Sequence, residues 1–288
     1  MSDGERPLAD TKGRFTQVVT NGRRVNDLEW LTGRILLSNK RLVLASNEGK
    51  RQLPLAKITT VKNRKNANQA MAAVSGYFSI QLGSDVFLVA PSEVDAFEDS
   101  LYTALLDGEA VLVKHPAVEG GVVQDTQWAK GRVNIDGDVV GLAVSSGQFV
   151  EIELEDVGSV DAREATVRGD ERRVLEIEHT DDEGTSVQTH VSGTARHVAI
   201  LESLVRQGEL QNATDADLDQ TDTEVLMALY SGVSPFEIPD FVGMEIEEVE
   251  AVFDRLVEEG ILREKRIRRD VRLKARGRNI ASDVMADR

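Results

Sequence analysis

Few side chains in this sequence can move protons near neutrality. Four histidines, His115, His179, His190 and His197, are present, and there is no cysteine to act as nucleophile or thiolate ligand. The histidines show no close metal-ligand spacing, and none neighbours a Ser or Asp signature of nucleophilic catalysis. They read as ordinary strand or surface residues. No phosphate-cradling glycine motif is present, and Glu119-Gly120-Gly121 reads as a turn between strands with no helix behind it to hold a phosphate. Asp215, Asp217 and Asp219 alternate as calcium-loop carboxylates do, but the glycine at the sixth position and the closing glutamate are missing. The expectation is a binding protein, not an enzyme, with no cofactor and no metal.

The residues that stand out are cationic. Arg263, Lys265, Arg266, Arg268, Arg269, Arg272, Lys274, Arg276 and Arg278 face only Glu264 and Asp270, a local charge of +7 in a chain of −16. Such segregation costs self-repulsion, and it points to an acidic partner. The first seven of these cations, Arg263 to Lys274, form the candidate partner-binding set. Two other destinations stay open: DNA, or carboxylates elsewhere in the same chain. Against DNA, the helix expected to enter the groove carries Glu245, Glu247, Glu248, Glu250 and Asp254 on its polar face, where readout needs Arg, Lys, Asn or Gln. A smaller cluster, Lys62, Arg64 and Lys65, resembles the loops with which some modules bind inositol phospholipids, but it reads as a solvated loop.

Composition sets the frame for these residues. With 288 residues, 41% hydrophobic and only 5% aromatic, the chain has material for two or three aliphatic cores. No run is long and apolar enough to span a bilayer, and the start MSDGERPLAD lacks the apolar core of a signal peptide, so a cytoplasmic location is expected. Asp and Glu total 50 against 34 Lys and Arg. That balance suits concentrated salt, where a Debye length of roughly 3 Å at 1 M screens self-repulsion, with an ordinary acidic mesophile protein as the alternative.

The elements that would position these residues show a repeat. Trp30-Leu-Thr-Gly33-Arg34-Ile35 returns as Trp128-Ala-Lys-Gly131-Arg132-Val133, Gly49 returns as Gly147, and Leu55 and Val61 match Leu154 and Val160 after one inserted residue. Each copy reads as short strands and then one helix. In the first, strands over 33–38, 41–46, 51–55, 57–61, 77–82 and 85–89 precede a helix with Val94, Phe97, Leu101 and Leu105 on one stripe and Ser92 placed to cap it. In the second, Ser192 precedes a helix over 195–206. Many short strands closed by a helix predict a bent sheet of the pleckstrin-homology kind.

The organisation expected is α+β and multidomain. Two tandem pleckstrin-homology-like modules occupy residues 10–108 and 109–208, an acidic linker 209–220, and a winged helix-turn-helix domain 221–288. Within that last domain, Thr223–Ser231 predicts one helix, Ser234-Pro235-Phe236-Glu237 the start of a second, and Glu245–Glu259 a third, followed by a basic ribbon. Pro239 sits awkwardly inside the second.

The paired Trp-x-x-Gly-Arg strings, the Ile261-Leu-Arg-Glu-Lys ribbon and the acidic, cysteine-free composition together resemble CheF, a family of haloarchaeal taxis proteins. The resemblance implies a non-enzymatic adaptor joining the CheY response regulator to the archaellum accessory proteins FlaC, FlaD and FlaE, with CheC and CheD as further partners and room for a homodimer. The alternative from the residues alone is a winged-helix DNA-binding transcription regulator with two sensory modules.

Overall fold

A computed structural model describes residues 4–26, 28–64, 76–181, 184–212 and 218–262. The chain packs as two units, Met1–Thr214 and Asp215–Arg288. In the first, alternating burial on short strands produces two curled antiparallel sheets. One contains β1 (Pro7–Thr20), β2 (Arg23–Arg24), β3 (Leu31–Ser38), β4 (Arg41–Ser46), β5 (Gly49–Pro54), β6 (Ile58–Arg64), β7 (Tyr77–Leu82) and β8 (Asp85–Pro91), and helix α1 (Val94–Leu106) follows it. The other contains β9 (Ala110–Glu119), β10 (Val122–Val123), β11 (Ala129–Asp136), β12 (Val139–Val144), β13 (Phe149–Glu153), β14 (Val157–Val167), β15 (Asp170–Thr180) and β16 (Ser186–Ser192), with α2 (Ala195–Asn212) behind it. Strand order is β5-β4-β3-β1-β8-β7-β6 in one and β13-β12-β11-β9-β16-β15-β14 in the other, so the sequence repeat is a structural repeat.

The central strand β1 is absent from the sequence reading, and β9 is implied there only by the turn at Glu119-Gly120-Gly121. β1 is polar along much of its length, and β9 contains Pro116, which ordinarily argues against a central strand. The ladder accommodates it: β9 pairs with β16 at Lys114 and again at Val118, skipping the residues between, so the missing proline N–H leaves no gap. Capping also differs from expectation. Ser92 Oγ donates to Lys12 O at 2.8 Å and Ser192 Oγ to Arg173 O at 2.9 Å, tying strands rather than helix ends. The second helix is held instead by Thr194 Oγ1, which accepts from His197 N at 3.2 Å.

One hydrophobic core runs through both sheets. Each helix serves both copies: α1 touches β1, β3 and β8 of its own sheet and β11 of the other, while α2 touches β14 and β15 and also β6. Hydrogen bonds fix this exchange. Arg196 on α2 donates through Nε to Ile58 O at 2.8 Å and through Nη2 to Leu55 O at 3.1 Å, and Ser203 Oγ donates to Val61 O. The helix continues past Arg206, where the sequence reading ends it, because Asn212 Nδ2 finds Leu154 O and Val157 O at 3.2 and 2.8 Å.

The second unit holds α3 (Gln220–Tyr230), α4 (Ile238–Val242) and α5 (Ile246–Glu258) around Val225, Ala228, Ile238, Val249, Val252 and Leu256. Asp219 and Asp222 cap α3 reciprocally at 2.8 and 3.0 Å. The start of α4 falls later than Ser234, after a turn in which Glu237 N donates to Ser234 O. Pro239 therefore lies in the first helical turn, where its missing N–H costs nothing.

Candidate protein-interaction surfaces

Strand pairing brings together two histidines that the sequence keeps apart. His115 on β9 and His179 on β15 stack with ring centroids 6.0 Å apart. Both reach the Thr189 hydroxyl on β16, His115 through Nδ1 at 2.6 Å and His179 through Nε2 at 2.9 Å. One hydroxyl has one hydrogen, so it donates to one ring and accepts an N–H from the other, and both rings can stay neutral. Burial first, then the neighbouring His179, brings His115 down to about 4, and burial lowers His179 as well. Because Thr189 is fully buried, its hydroxyl is closed to substrate. The expectation of ordinary residues thus misses a buried polar trio. No local signal marks it, since Thr189 lies 74 residues from His115.

The remaining histidines are also absorbed by packing. His190 Nε2 sits 2.8 Å from Gln188 Oε1 and 3.4 Å from Glu176, and His197 Nε2 lies 3.3 Å from Glu109. A cleft of about 250 Å³ between α1, α2 and the β11–β12 turn is lined by Asp95, Asp99, Tyr102, Asp138, Gln207 and Gln211. Its tyrosine accepts from Gln207 Nε2 at 3.0 Å, and burial pushes the phenol above its ordinary pKa. Among the described residues no three of His, Asp and Glu are grouped as metal ligands. No described helix is long and apolar enough to cross a membrane.

The helical unit has a different character. Met227, Tyr230, Phe236, Phe241 and Ile246 are exposed, with Tyr230 at 91%. These large apolar side chains are a candidate contact surface among the described residues. Beside them Glu245, Glu247, Glu248, Glu250 and Asp254 are all exposed on α5 or at its cap. That face would repel a duplex. Arg255 fastens α5 to the start of α3 by pairing with Asp222, whose carboxyl the guanidinium's hydrogen bond holds below its usual range. The candidate cations Arg263, Lys265, Arg266, Arg268, Arg269, Arg272 and Lys274 lie outside the described residues, as does Lys65 of the smaller cluster, whereas Lys62 is exposed on β6.

Comparison with known proteins points to signal transduction. Residues 7–211 match the family model described as archaeal chemotaxis signal transduction system protein F. The chain belongs to the archaeal CheF family. It is 48% identical over 287 residues to taxis protein CheF1 of Halobacterium salinarum, covering 99% of both chains. It is 24% identical over 245 residues to taxis protein CheF2 of the same organism, covering 82% of this chain and 84% of the relative. Residues 217–286 match a second family model, described as a domain of unknown function. The repeat with its Trp-x-x-Gly-Arg strings thus falls within the CheF match, and the helical unit with its basic segment within the other.

Proposed function

We propose that this CheF-family chain is a non-enzymatic cytoplasmic adaptor of archaeal taxis, which binds the CheY response regulator and passes its state to the archaellum accessory proteins FlaC, FlaD and FlaE. CheC and CheD are further partners in this reading. The observation that carries it is near-full-length identity of 48% to a taxis protein. The exposed aromatic residues of the helical unit give the physical support, because an adaptor needs surface that its own fold leaves uncovered. In the same reading each curled sheet with its helix is a pleckstrin-homology-like module. The helical unit with residues 263–278 is a winged helix turned to protein binding.

The basic segment is the regulator's docking element in this proposal, since a phosphorylated response regulator presents an acidic pocket and gains negative charge. Replacing Arg266, Arg268 and Arg269 with glutamate is expected to weaken binding to phosphorylated CheY at least about tenfold, roughly 1.4 kcal/mol, at constant high salt. The melting temperature should stay unchanged. Undiminished affinity removes the segment from the mechanism, and a lowered melting temperature assigns it to internal pairing.

A further inference from the structure

The two sheets are copies of one design, so the strand registers let each position of one be compared with its counterpart in the other. Across the first sheet, Lys12 on β1 stands opposite Arg34 on β3, Arg34 opposite Ala45 on β4, and Ala45 opposite Lys50 on β5. The matching row of the second sheet is Ala110, Arg132, Ala143 and Phe149. Both ends of the row are lysine in one copy and apolar in the other.

This row lies on the solvent side. Ile35, Leu37, Leu42, Leu44 and Leu53, which point the other way from the same strands, are core residues. Lys12, Arg34 and Lys50 are exposed, and Arg34 remains 63% exposed although Asp10 grips it at 3.1 and 2.5 Å. Thr32 is exposed beside them, and Leu36 and Ala45 are half-buried, so the cations surround a weakly polar centre. The bias extends to the whole copy: residues 1–108 hold 14 Lys and Arg against 12 Asp and Glu, whereas residues 109–208 hold 9 against 19.

The second copy builds the same sheet without these lysines, so the fold does not require them. From this we infer that the outer face of β1, β3, β4 and β5 docks an acidic protein surface. The lysines at the ends of the row are three strand spacings apart, roughly 14 Å, on an open face with the Arg34–Asp10 pair and Ala45 between them. That breadth suits a protein surface better than a single phosphate headgroup, which needs cations converging on one point. Where salt shortens the Debye length to a few ångströms, close lysine–carboxylate contacts and the apolar centre would carry the binding. The inference rests on the adaptor reading and gives it a second contact, far in sequence from the basic segment.

The test places the photocrosslinker benzoylphenylalanine at Thr32 of the full chain in its native cells, with Lys130, the counterpart position, as comparator. The expected result is an adduct from position 32 and not from 130. Its crosslinked partner should be another protein, with an excess of Asp and Glu around the crosslink. The adduct should fall at least about fivefold in Lys12→Glu/Lys50→Glu, and a Glu→Lys change at the partner's contact should restore it. No adduct, an adduct only to this chain itself, to anionic lipid or to nucleic acid, or one indifferent to charge reversal overturns the proposal. Lys12→Gln/Lys50→Gln serves if the glutamate variant does not fold. Regulator affinity is measured on the same variants. An adduct that survives Arg266→Glu/Arg268→Glu/Arg269→Glu while regulator binding is lost separates this face from the docking element proposed above.

Discussion

Gly33 and Gly131 hold equivalent places in the repeat, but steric crowding is severe at the first and mild at the second. A Cβ at Gly33 would lie 2.0 Å from Ala45 O and 3.2 Å from the Phe15 ring, contacts that backbone cannot relieve cheaply. At Gly131 the nearest atom is a Val113 methyl at 3.0 Å, which can give way. Gly33→Ala is therefore expected to cost about 1–3 kcal/mol, and Gly131→Ala less, in denaturant unfolding at high salt. The histidine trio supplies a second residue-scale prediction. His115 falls to about 4 in the folded chain from an ordinary 6.5, so the unfolded chain binds the extra proton first. The stability that neutral His115 contributes is present above pH 6.5 and drains as pH falls towards about 4. Replacing it with Gln, the residue type that Gln17 supplies on β1, should flatten the melting temperature across that window. An unaltered slope in His115→Gln would mean that other groups set the acid response.

At the scale of elements, the exchange of helices between the copies makes the two sheets one folding problem. The carbonyls of Leu55, Ile58 and Val61 at the β6 edge are satisfied by Arg196 and Ser203 of α2, more than 130 residues away. Arg196→Ala would remove a donor from Ile58 O and from Leu55 O, the latter keeping its bond from Ile58 N, with an expected loss of about 1–3 kcal/mol in equilibrium unfolding. Residues 1–108 expressed alone lack α2 and should show no cooperative melting. A sharp thermal transition in that fragment would contradict the shared core. Gly208 shows how close the approach is, since a Cβ there would lie 2.2 Å from Leu154 O.

For the whole molecule, charge and unit structure govern behaviour. A net −16 with 50 carboxylates predicts that dialysis from molar salt to below about 0.1 M, where the Debye length exceeds roughly 10 Å, loosens the fold. A circular-dichroism spectrum unchanged through that dialysis would refute the adaptation to salt. Because the chain divides into Met1–Thr214 and Asp215–Arg288, removing residues 221–288 should leave both sheets folded. The check is a preserved melting transition in the shortened chain.

Local patterns settled much of this in advance. Alternation and turn residues placed six of the eight strands of the first copy to within a few residues, and the Trp-x-x-Gly-Arg strings marked the repeat and the family, because period-two burial and tight turns are properties of neighbouring residues. What depends on distant partners stayed hidden. The central strands β1, largely polar, and β9, interrupted by Pro116, owe their place to neighbours on both sides. The His115–Thr189–His179 trio exists only because pairing sets three strands side by side, and the Lys12–Arg34–Ala45–Lys50 row only because it aligns four. Register decides which side chains become neighbours, and the whole sheet decides register.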